Sequence, residues 1–331
     1  MSTGEAHKPR IGIVAGDPNG IGPEVTVKAW AAGDIKQHCR PVVVGSASVI
    51  ERALEITGVP LSVRAVRDTQ SISDEANVVD VLGSSAFDAA DIRFGDDHED
   101  AGVASGGWLD HAHTLACDGE LDGTVMGPIS THSLKMAGKL ERISTLRDGA
   151  YLVLRSGPLV IAHLTDHVPL AEVTRHITTD SVYALIDRLN RAMRQWGVGS
   201  GRIGVAGFNP HAEGTEEDNA ISPAVQKARQ QGLSIDGPIG PDSIFRHCIE
   251  GRHDAVIAMY HDQGHIALKT WGFSGNSVVF LGPPYIHTTV AHGTAYDLAG
   301  SGTADSSMLL HSILDAASLA DSRGFVEHKM A

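Results

Sequence analysis

Cysteine is scarce in this chain of 331 residues, and the way it is placed excludes two classes of protein. The three cysteines, Cys39, Cys117 and Cys248, are odd in number, widely separated and in no Cys-x-x-Cys arrangement. A disulfide framework needs paired cysteines, and a thiolate zinc site needs closely spaced ones. Neither is predicted.

Positive charge and long apolar runs are also lacking. The chain has 26 Lys and Arg against 40 Asp and Glu, a formal net charge of −14 at pH 7. Binding to nucleic acid needs a basic surface, so that partner is excluded. No apolar run reaches the roughly 18 residues of a membrane helix. The N-terminus MSTGEAHKPR has no apolar signal-peptide segment, so we expect a cytoplasmic protein without a membrane partner.

Runs of β-branched residues alternate with helix-like stretches, and 42% of the residues are hydrophobic. This pattern predicts an α/β fold with a largely parallel, buried sheet. The predicted strands cover residues 10–16, 41–46, 121–127, 159–165, 202–208, 254–260 and 277–282. The predicted helices cover residues 23–33, 106–119, 178–196 and 306–320. The acidic, glycine-broken stretch 95–107 predicts a loop.

The segment GDPNGIGPEV, residues 16–25, follows a predicted strand and precedes a predicted helix. Such a turn can direct free backbone N–H groups at an anion. It can equally be a tight turn that needs glycine, and its spacing is not the Rossmann fingerprint. Both interpretations stay open.

Eighteen histidines make imidazole unusually common, and three of them follow apolar runs. His167, His211 and His261 each come after a predicted strand, at the end where ligands meet an open α/β sheet. Three neutral imidazoles suit zinc or another first-row divalent ion. The alternative is that each histidine is structural and hydrogen-bonded to a neighbouring carboxylate.

The segment TVAHGTAYDLAGSGTAD, residues 289–305, combines His292 and Asp297 with small residues. Small residues let a flat ring approach the backbone, and an Asp can accept a hydrogen bond from a ribose or an amine. The alternative is a glycine-rich connection to the last helix.

Five motifs in this order resemble the 4-hydroxythreonine-4-phosphate dehydrogenase family: GDPNGIGPE, NPHAEG, GPIGPDSIF, AMYHDQG and HGTAYDLAGSGTAD. The resemblance covers nearly the whole length. It implies one two-lobed α/β/α unit over residues 1–331 with a central cleft, similar to isocitrate and isopropylmalate dehydrogenases. It also implies a homodimer with its active sites at the subunit interface.

The resemblance assigns roles to individual residues. It implies that His167, His211 and His261 bind one divalent ion (Zn, Co, Mn or Mg) and are contributed from both subunits. It places Asp242 and Asp262 near substrate and metal as catalytic residues, and it makes Lys269 a catalytic residue that also reaches the substrate. The loop that resembles the adenine side of the cofactor site supplies His292, Gly293, Thr294, Ala295 and Asp297 for NAD, with NADP as the alternative.

The phosphate site of the family is altered in this chain. Ser144 stands where the family has a phosphate-binding His, Thr145 is kept and Leu146 replaces a Glu. The family's phosphate-binding Asn aligns with Val278, and its Arg aligns with His287. A phosphate dianion needs charge-assisted donors, of which arginine is the usual one. We therefore interpret Ser144, Thr145 and His287 as binding a changed substrate.

The sequence thus favours a metal- and NAD-dependent dehydrogenase that oxidises and decarboxylates a hydroxy acid without phosphate. A cis-dihydrodiol carboxylate is the model substrate, because the terephthalate dihydrodiol dehydrogenases of the family also lack the phosphate motif. The alternative is the family's 4-hydroxythreonine-4-phosphate activity in vitamin B6 biosynthesis. Two further alternatives are a non-catalytic binding homologue and a metal-dependent hydrolase.

His261 and His265 lie four residues apart in AMYHDQGHIALK, residues 258–269. The apolar run and Gly264 predict a strand end and a turn, in which the two rings need not share a face. Family members commonly have an apolar residue at the position of His265. We interpret His265 as a substrate-side or supporting residue, not as a metal ligand.

Overall fold

The computed structural model describes residues 8–32, 35–83, 87–141, 150–272 and 276–327. The chain divides into two units. The first consists of Met1–Asp148 and Pro283–Asp321, and the second of Gly149–Gly282 and Ser322–Ala331. Each unit is an α/β structure, which confirms the predicted fold class.

The first unit contains a parallel sheet. Its strands, numbered along the whole chain, are β1 (Arg10–Val14), β2 (Arg40–Val44), β3 (Ser62–Val66), β4 (Val78–Leu82), β5 (Gly123–Met126) and β12 (Ile286–Thr289). They lie in the order β3-β4-β2-β1-β5-β12, and every described pair is parallel. The last four residues of β1 and of β2 are buried without alternation, as expected for strands covered on both faces.

The helices of the first unit connect these strands. They are α1 (Gly22–Ala32), α2 (Ile35–His38), α3 (Ala47–Thr57), α4 (Glu99–Cys117), α5 (Thr131–Met136) and α11 (Ser307–Ala320). Single 3-10 turns occur at Thr69–Ser71 and Ala89–Asp91. Helices α1, α4 and α11 match three of the four predicted helices.

Helix α4 shows that the predicted loop at residues 95–107 is wrong from residue 99 onwards. The helix begins at Glu99, and the side chain of His98 caps it by accepting a hydrogen bond from the N–H of Asp100. Two of its glycines, Gly102 and Gly106, are close contact points and not turn residues. A Cβ on Gly102 would lie 2.0 Å from the carbonyl oxygen of Ser133. The sequence pattern misleads here because the glycine is required by a segment about thirty residues away.

The second unit has a mixed sheet. Its strands are β6 (Tyr151–Ser156), β7 (Leu159–His163), β8 (Ile203–Ala206), β9 (Ile235–Ile239), β10 (Ala255–Ala258) and β11 (Ser277–Leu281). They lie in the order β11-β6-β7-β10-β8-β9. β6 is antiparallel to β11 and to β7, whereas β7, β10, β8 and β9 are parallel. The parallel strands therefore have their carboxyl ends at one edge.

The helices of the second unit are α6 (Leu170–Val173), α7 (Thr179–Trp196), α8 (Ser222–Gln230), α9 (Ile244–Ile249) and α10 (His261–Trp271). Two 3-10 turns at Thr174–His176 and Pro210–Ala212 and a π-helical turn at Glu217–Ile221 complete it. Helix α7 confirms the fourth predicted helix. Its apolar face is fully buried, namely Val182, Leu185, Ile186, Leu189 and Met193. No described helix is both long enough and apolar enough to cross a membrane.

Substitution of Gly102 tests the close packing of α4. We expect Gly102→Ala to destabilise the protein by about 1–3 kcal/mol, because the added methyl group overlaps the carbonyl of Ser133. Gly107→Ala is the matched control in the same helix, since nothing lies within 4 Å of its Cβ position. There we expect a gain of up to about 1 kcal/mol from helix propensity. Urea unfolding measures both, and equal effects would contradict the packing argument.

Candidate active site

The carboxyl ends of three neighbouring parallel strands in the second unit carry the predicted metal ligands. His167 follows β7, His261 follows β10 and His211 follows β8. Because β10 pairs with both β7 and β8, all three segments leave the sheet at the same edge. The three histidines therefore follow strand ends at one edge of the sheet, as their positions after apolar runs predict.

Two of the three histidines come together, with a carboxylate beside them. Asp166, His167 and His261 each offer a ligand atom, and these atoms all lie within 4.8 Å of one another. The rings of His167 and His261 have centroids 5.2 Å apart. Two imidazoles and a carboxylate fit a divalent ion of the first transition row. Sequence reasoning missed Asp166, although its position next to His167 was a usable signal.

His211 lies outside this group of ligand atoms. It belongs to the turn Pro210–Ala212 and has a φ of 60°, and Ala212 follows with a φ of 58°. Two consecutive non-glycine residues in the left-handed region are uncommon, and each costs about 1–3 kcal/mol that the surroundings must offset. The strained turn marks His211 as a residue whose position matters.

A buried carboxylate holds the His211 turn. Glu217 is 1% exposed and accepts hydrogen bonds from the backbone N–H groups of Phe208 (2.6 Å) and Asn209 (2.8 Å) and from the Asn209 side-chain amide (2.7 Å). Burial opposes ionisation, but these hydrogen bonds outweigh it, so the pKa of Glu217 lies below its usual range. The charge on Glu217 thus stabilises the backbone that presents His211.

Helix α10 corrects the interpretation of His261 and His265. The helix begins at His261 itself, so the two residues lie one turn apart on the same face. Their rings stack with centroids 3.6 Å apart and planes 15° apart. Nδ1 of His265 donates to the carbonyl of His261 over 3.0 Å, which leaves Nε2 with its lone pair. His265 is not a member of the compact ligand group, and its supporting or substrate-side role stays a prediction.

Gly264 is inside this helix because a third ring packs against it. A Cβ on Gly264 would lie 2.2 Å from Nε2 of His163, the last residue of β7. The His163 ring also lies 4.9 Å from that of His265. Sequence reasoning missed His163, since a histidine inside an apolar run gives no signal of its own. It forms the buried support of the histidine cluster.

The two supporting imidazoles are neutral. Burial, with a smaller contribution from neighbouring imidazoles, lowers the pKa of His163 to about 3 and that of His265 to about 4. Nδ1 of His163 points at the carbonyl of Leu152 at 3.4 Å. Neutral rings place no positive charge beside a cation, so the cluster suits a metal electrostatically.

Asp262 fixes the orientation of the His261 ring. Its Oδ1 lies 2.7 Å from Nδ1 of His261. The hydrogen bond from His261 keeps the pKa of the Asp262 carboxyl below its usual range. A carboxylate only accepts, so Nδ1 carries the proton and Nε2 remains for a metal. The predicted acid therefore contacts a predicted ligand.

The other two predicted catalytic residues lie elsewhere in the second unit. Lys269 is exposed in the last turn of α10, two turns after His261. Asp242 is exposed in the segment after β9 and accepts a hydrogen bond from Ser243 over 3.1 Å. Asp242 thus also follows the carboxyl end of a parallel strand, the neighbour of β8.

The predicted cofactor residues lie in the first unit, in the glycine-rich loop (residues 292–305) that follows β12. Nδ1 of His292 donates to the carbonyl of Gly293 over 2.9 Å. Gly293 has open space at its Cβ position, and Ala295 has a φ of 42°. The loop lies beyond the carboxyl end of a parallel strand, as expected for a ligand site.

The GDPNGIGPEV segment does not offer an anion site in this structure. Residues 16–25 are all buried. The N–H of Asp17 donates to Pro128, that of Asn19 to the Asp17 side chain and that of Ile21 to the carbonyl of Thr294. These hydrogen bonds, and the φ of 80° at Gly16, favour the tight turn of the two interpretations.

The predicted substrate residues divide into buried and undescribed ones. His287 is fully buried in β12, with Nδ1 2.6 Å from Oγ1 of Thr124, and burial lowers its pKa to about 4. A neutral, enclosed ring supplies no charge to a substrate, so the predicted substrate contact of His287 is corrected to a structural role. Ser144 and Thr145 lie outside the described residues.

The fold and the group of candidate ligand atoms are typical of an α/β enzyme that binds a metal at its strand ends. The model of the family described as pyridoxal phosphate biosynthetic protein PdxA matches residues 37–316. The chain belongs to this family, as its motifs predicted.

Two relatives illustrate the family. A protein of Novosphingobium aromaticivorans, provisionally named 4-hydroxythreonine-4-phosphate dehydrogenase, is 50% identical over 327 residues, which are 98% of this chain and 99% of that protein. A protein of Symbiobacterium thermophilum, provisionally named D-threonate 4-phosphate dehydrogenase, is 37% identical over 319 residues, 92% of this chain and 95% of that protein. These names confirm the prediction of an oxidoreductase.

Solved structures distinguish two branches. The 4-hydroxythreonine-4-phosphate dehydrogenase of Klebsiella pneumoniae superposes with a TM-score of 0.86 at 33% identity and covers 95% of this chain and 100% of that one. The terephthalate 1,2-cis-dihydrodiol dehydrogenase of Burkholderia xenovorans LB400 superposes with a TM-score of 0.69 at 27% identity. The match covers 94% of this chain and 98% of that one. Both measures place this chain nearer to the first.

Metal titration separates the roles of the two stacked histidines. We expect His261→Ala to abolish tight binding of Zn²⁺ or Mn²⁺, because Asp166, His167 and His261 form the described ligand group. His265→Ala should retain most of the affinity, because its ring supports His261 from the next turn. Isothermal calorimetry on both variants measures this, and an equal loss would make His265 a ligand.

Proposed function

We propose that this protein is a divalent-metal- and NAD-dependent dehydrogenase that oxidises the secondary hydroxyl of a four-carbon hydroxy acid phosphorylated at C4. The main support for this proposal is that Asp166, His167 and His261 lie together at the strand ends of a chain of the PdxA family. The names of the relatives specify the phosphorylated substrates. These names support a phosphorylated substrate, which is the alternative interpretation of the sequence, over the unphosphorylated substrate, which is its main interpretation.

The metal would be held by His167 and His261 with Asp166 as an oxygen ligand, and by His211 of a second subunit. A bound divalent ion lowers the pKa of a coordinated hydroxyl and stabilises the oxygen of an enolate. The position of His211 outside the described group supports its contribution to the other active site of a homodimer.

The residues of this chain complete the chemistry. Asp262 holds His261 in the tautomer that leaves Nε2 for the metal. Asp242, exposed beyond β9, is suited to accept the hydroxyl proton. Lys269 is suited to balance substrate charge and to return a proton to carbon after loss of CO₂. The loop residues His292 to Asp297 would bind NAD, with NADP as the alternative.

A second candidate substrate is an unphosphorylated cis-dihydrodiol carboxylate. One observation favours it: His287 and Val278, which align with phosphate-binding Arg and Asn of the family, are both buried in strands. Neither residue gives a phosphate a charged partner. Phosphate binding would then depend on residues 142–149, which contain Ser144, Thr145 and two arginines and lie outside the described residues.

Steady-state assays decide between the two substrates. We expect metal-loaded protein to reduce NAD with 4-phosphohydroxy-L-threonine or D-threonate 4-phosphate far faster than with a cis-dihydrodiol carboxylate, followed by absorbance of NADH. Chelation of the metal should remove the activity, and re-addition should restore it. The reverse preference would establish the second candidate, and no turnover with either would favour a non-catalytic homologue.

Replacement of Asp166 tests its assignment as an oxygen ligand. Asp166→Asn keeps the shape of the side chain but removes the charge, so we expect affinity for Mn²⁺ to fall by about 10- to 100-fold. Zn²⁺ should lose less, because it binds imidazole well. The exposed Asp180→Asn in the same unit is the control. Unchanged Mn²⁺ affinity in a calorimetric titration would remove Asp166 from the site.

A further inference from the structure

A buried carboxylate of α1 holds the end of the glycine-rich loop in the first unit. Glu24 is 1% exposed, and its two oxygens accept from different backbone amides. Oε1 accepts from the N–H of Gly300 over 2.6 Å, and Oε2 from the N–H of Gly302 over 2.7 Å. Charge-assisted bonds of this kind are about twice as strong as neutral ones. Glu24 thus fixes two amides that are two residues apart.

The conformation of the loop is what lets both amides reach one carboxylate. Gly300 has a φ of 81° and Gly302 a φ of 70°. Residues with a Cβ rarely adopt this region, so glycine is required for the two N–H groups to converge. The glycines of the motif therefore point inward at Glu24 rather than at a ligand.

Lys28, one helical turn after Glu24, binds the carbonyls of the same segment. Its Nζ donates to the carbonyl of Gly302 over 3.1 Å and to that of Ala304. Two side chains on one face of α1 therefore bind the loop backbone. The carboxylate of Glu24 accepts from its N–H groups, and the ammonium group of Lys28 donates to its carbonyls. This arrangement defines the position of the loop along the helix.

The beginning of the loop contacts the two residues that directly precede this helix. The N–H of Ile21 donates to the carbonyl of Thr294 over 3.0 Å. A Cβ on Gly20 would lie 2.9 Å from Cβ of Thr294, so the backbones approach closely. The GDPNGIGPEV segment and the residues just after it thus hold both ends of the loop, at Thr294 and at Gly300 to Ala304.

We propose that Glu24 is a positioning residue for cofactor binding: through Gly300 and Gly302 it holds residues 292–297 in the conformation that binds the dinucleotide. The proposal rests on the proposed function, because the loop must bind NAD for its position to matter. A loop ordered beforehand does not lose conformational freedom when the ligand binds. The first motif of the sequence then acts on the last one without touching a ligand itself.

The second unit provides a matched comparison. Glu217 is equally buried and accepts the N–H groups of Phe208 and Asn209 beside the His211 turn. Each unit therefore has one enclosed glutamate that binds two backbone amides of a predicted site loop. Replacing each in turn separates loop positioning from a general loss of stability.

The test uses the full-length, metal-loaded protein and three variants. Glu24→Gln puts an amide N–H against one backbone N–H, so one hydrogen bond is lost and two donors face each other. We expect the Kd for NADH, measured by fluorescence titration, to rise about tenfold. The KM for NAD should rise in parallel, with a smaller change in kcat and no change in Mn²⁺ affinity by calorimetry.

The other two variants complete the design. Glu217→Gln should weaken Mn²⁺ binding and leave the Kd for NADH unchanged. Lys28→Met removes only the carbonyl contacts and should raise the Kd for NADH less than Glu24→Gln does, so it serves as the test if Glu24→Gln does not fold.

The outcomes distinguish this proposal from the proposed function. If the unmodified protein binds neither NADH nor NADPH, the proposed function fails. If it binds dinucleotide and both Glu24→Gln and Lys28→Met bind it equally well, the positioning role of Glu24 is wrong. Equal losses of NADH and Mn²⁺ binding in Glu24→Gln and Glu217→Gln would also overturn it, since they would indicate a general effect on stability.

Discussion

Parallel pairing of β7, β10 and β8 is the constraint on which the candidate metal site depends. The register pairs Ala258, the last residue of β10, with His163, the last residue of β7. Asp166 and His167 therefore follow one strand end, and His261 follows the neighbouring strand end. Residues nearly one hundred positions apart thereby come within ligand distance. His211 stands five residues beyond the end of β8, whereas His261 stands three beyond β10. His211 lies in this longer, strained turn and outside the described ligand group.

Burial and neutral rings support this arrangement. His163 fills the space that a side chain at position 264 would occupy. Helix α10 can pass close to β7 because residue 264 is a glycine. Neutral imidazoles behind His261 add packing without adding charge. A protonated ring there would repel a cation, and the low pKa values of His163 and His265 prevent it at neutral pH.

Carboxylates hold the loops of both units. Glu24 and Glu217 bind pairs of backbone amides in places where the chain has no regular partner. A buried charge is expensive unless it is fully hydrogen-bonded, and these backbone amides satisfy it. These two loops, which have irregular backbone, are therefore each held by charge-assisted hydrogen bonds within their own unit.

The sequence by itself determined the fold class, the family and the side of the sheet on which the histidines lie. Continuous apolar runs predict a largely parallel, buried sheet, and all seven predicted strands are present, six of them in parallel pairs and β11 antiparallel to β6. Short or polar strands such as β3 and β9 gave no signal. Tertiary structure alone decided the rest. Position 102 of helix α4 requires glycine because the carbonyl of Ser133 lies against it. His287 is buried by its neighbours in the sheet, and Asp166 joins the ligand group through the pairing of β7 with β10. These outcomes depend on contacts between residues distant in sequence, and local patterns carry no information about which distant residue will be the neighbour.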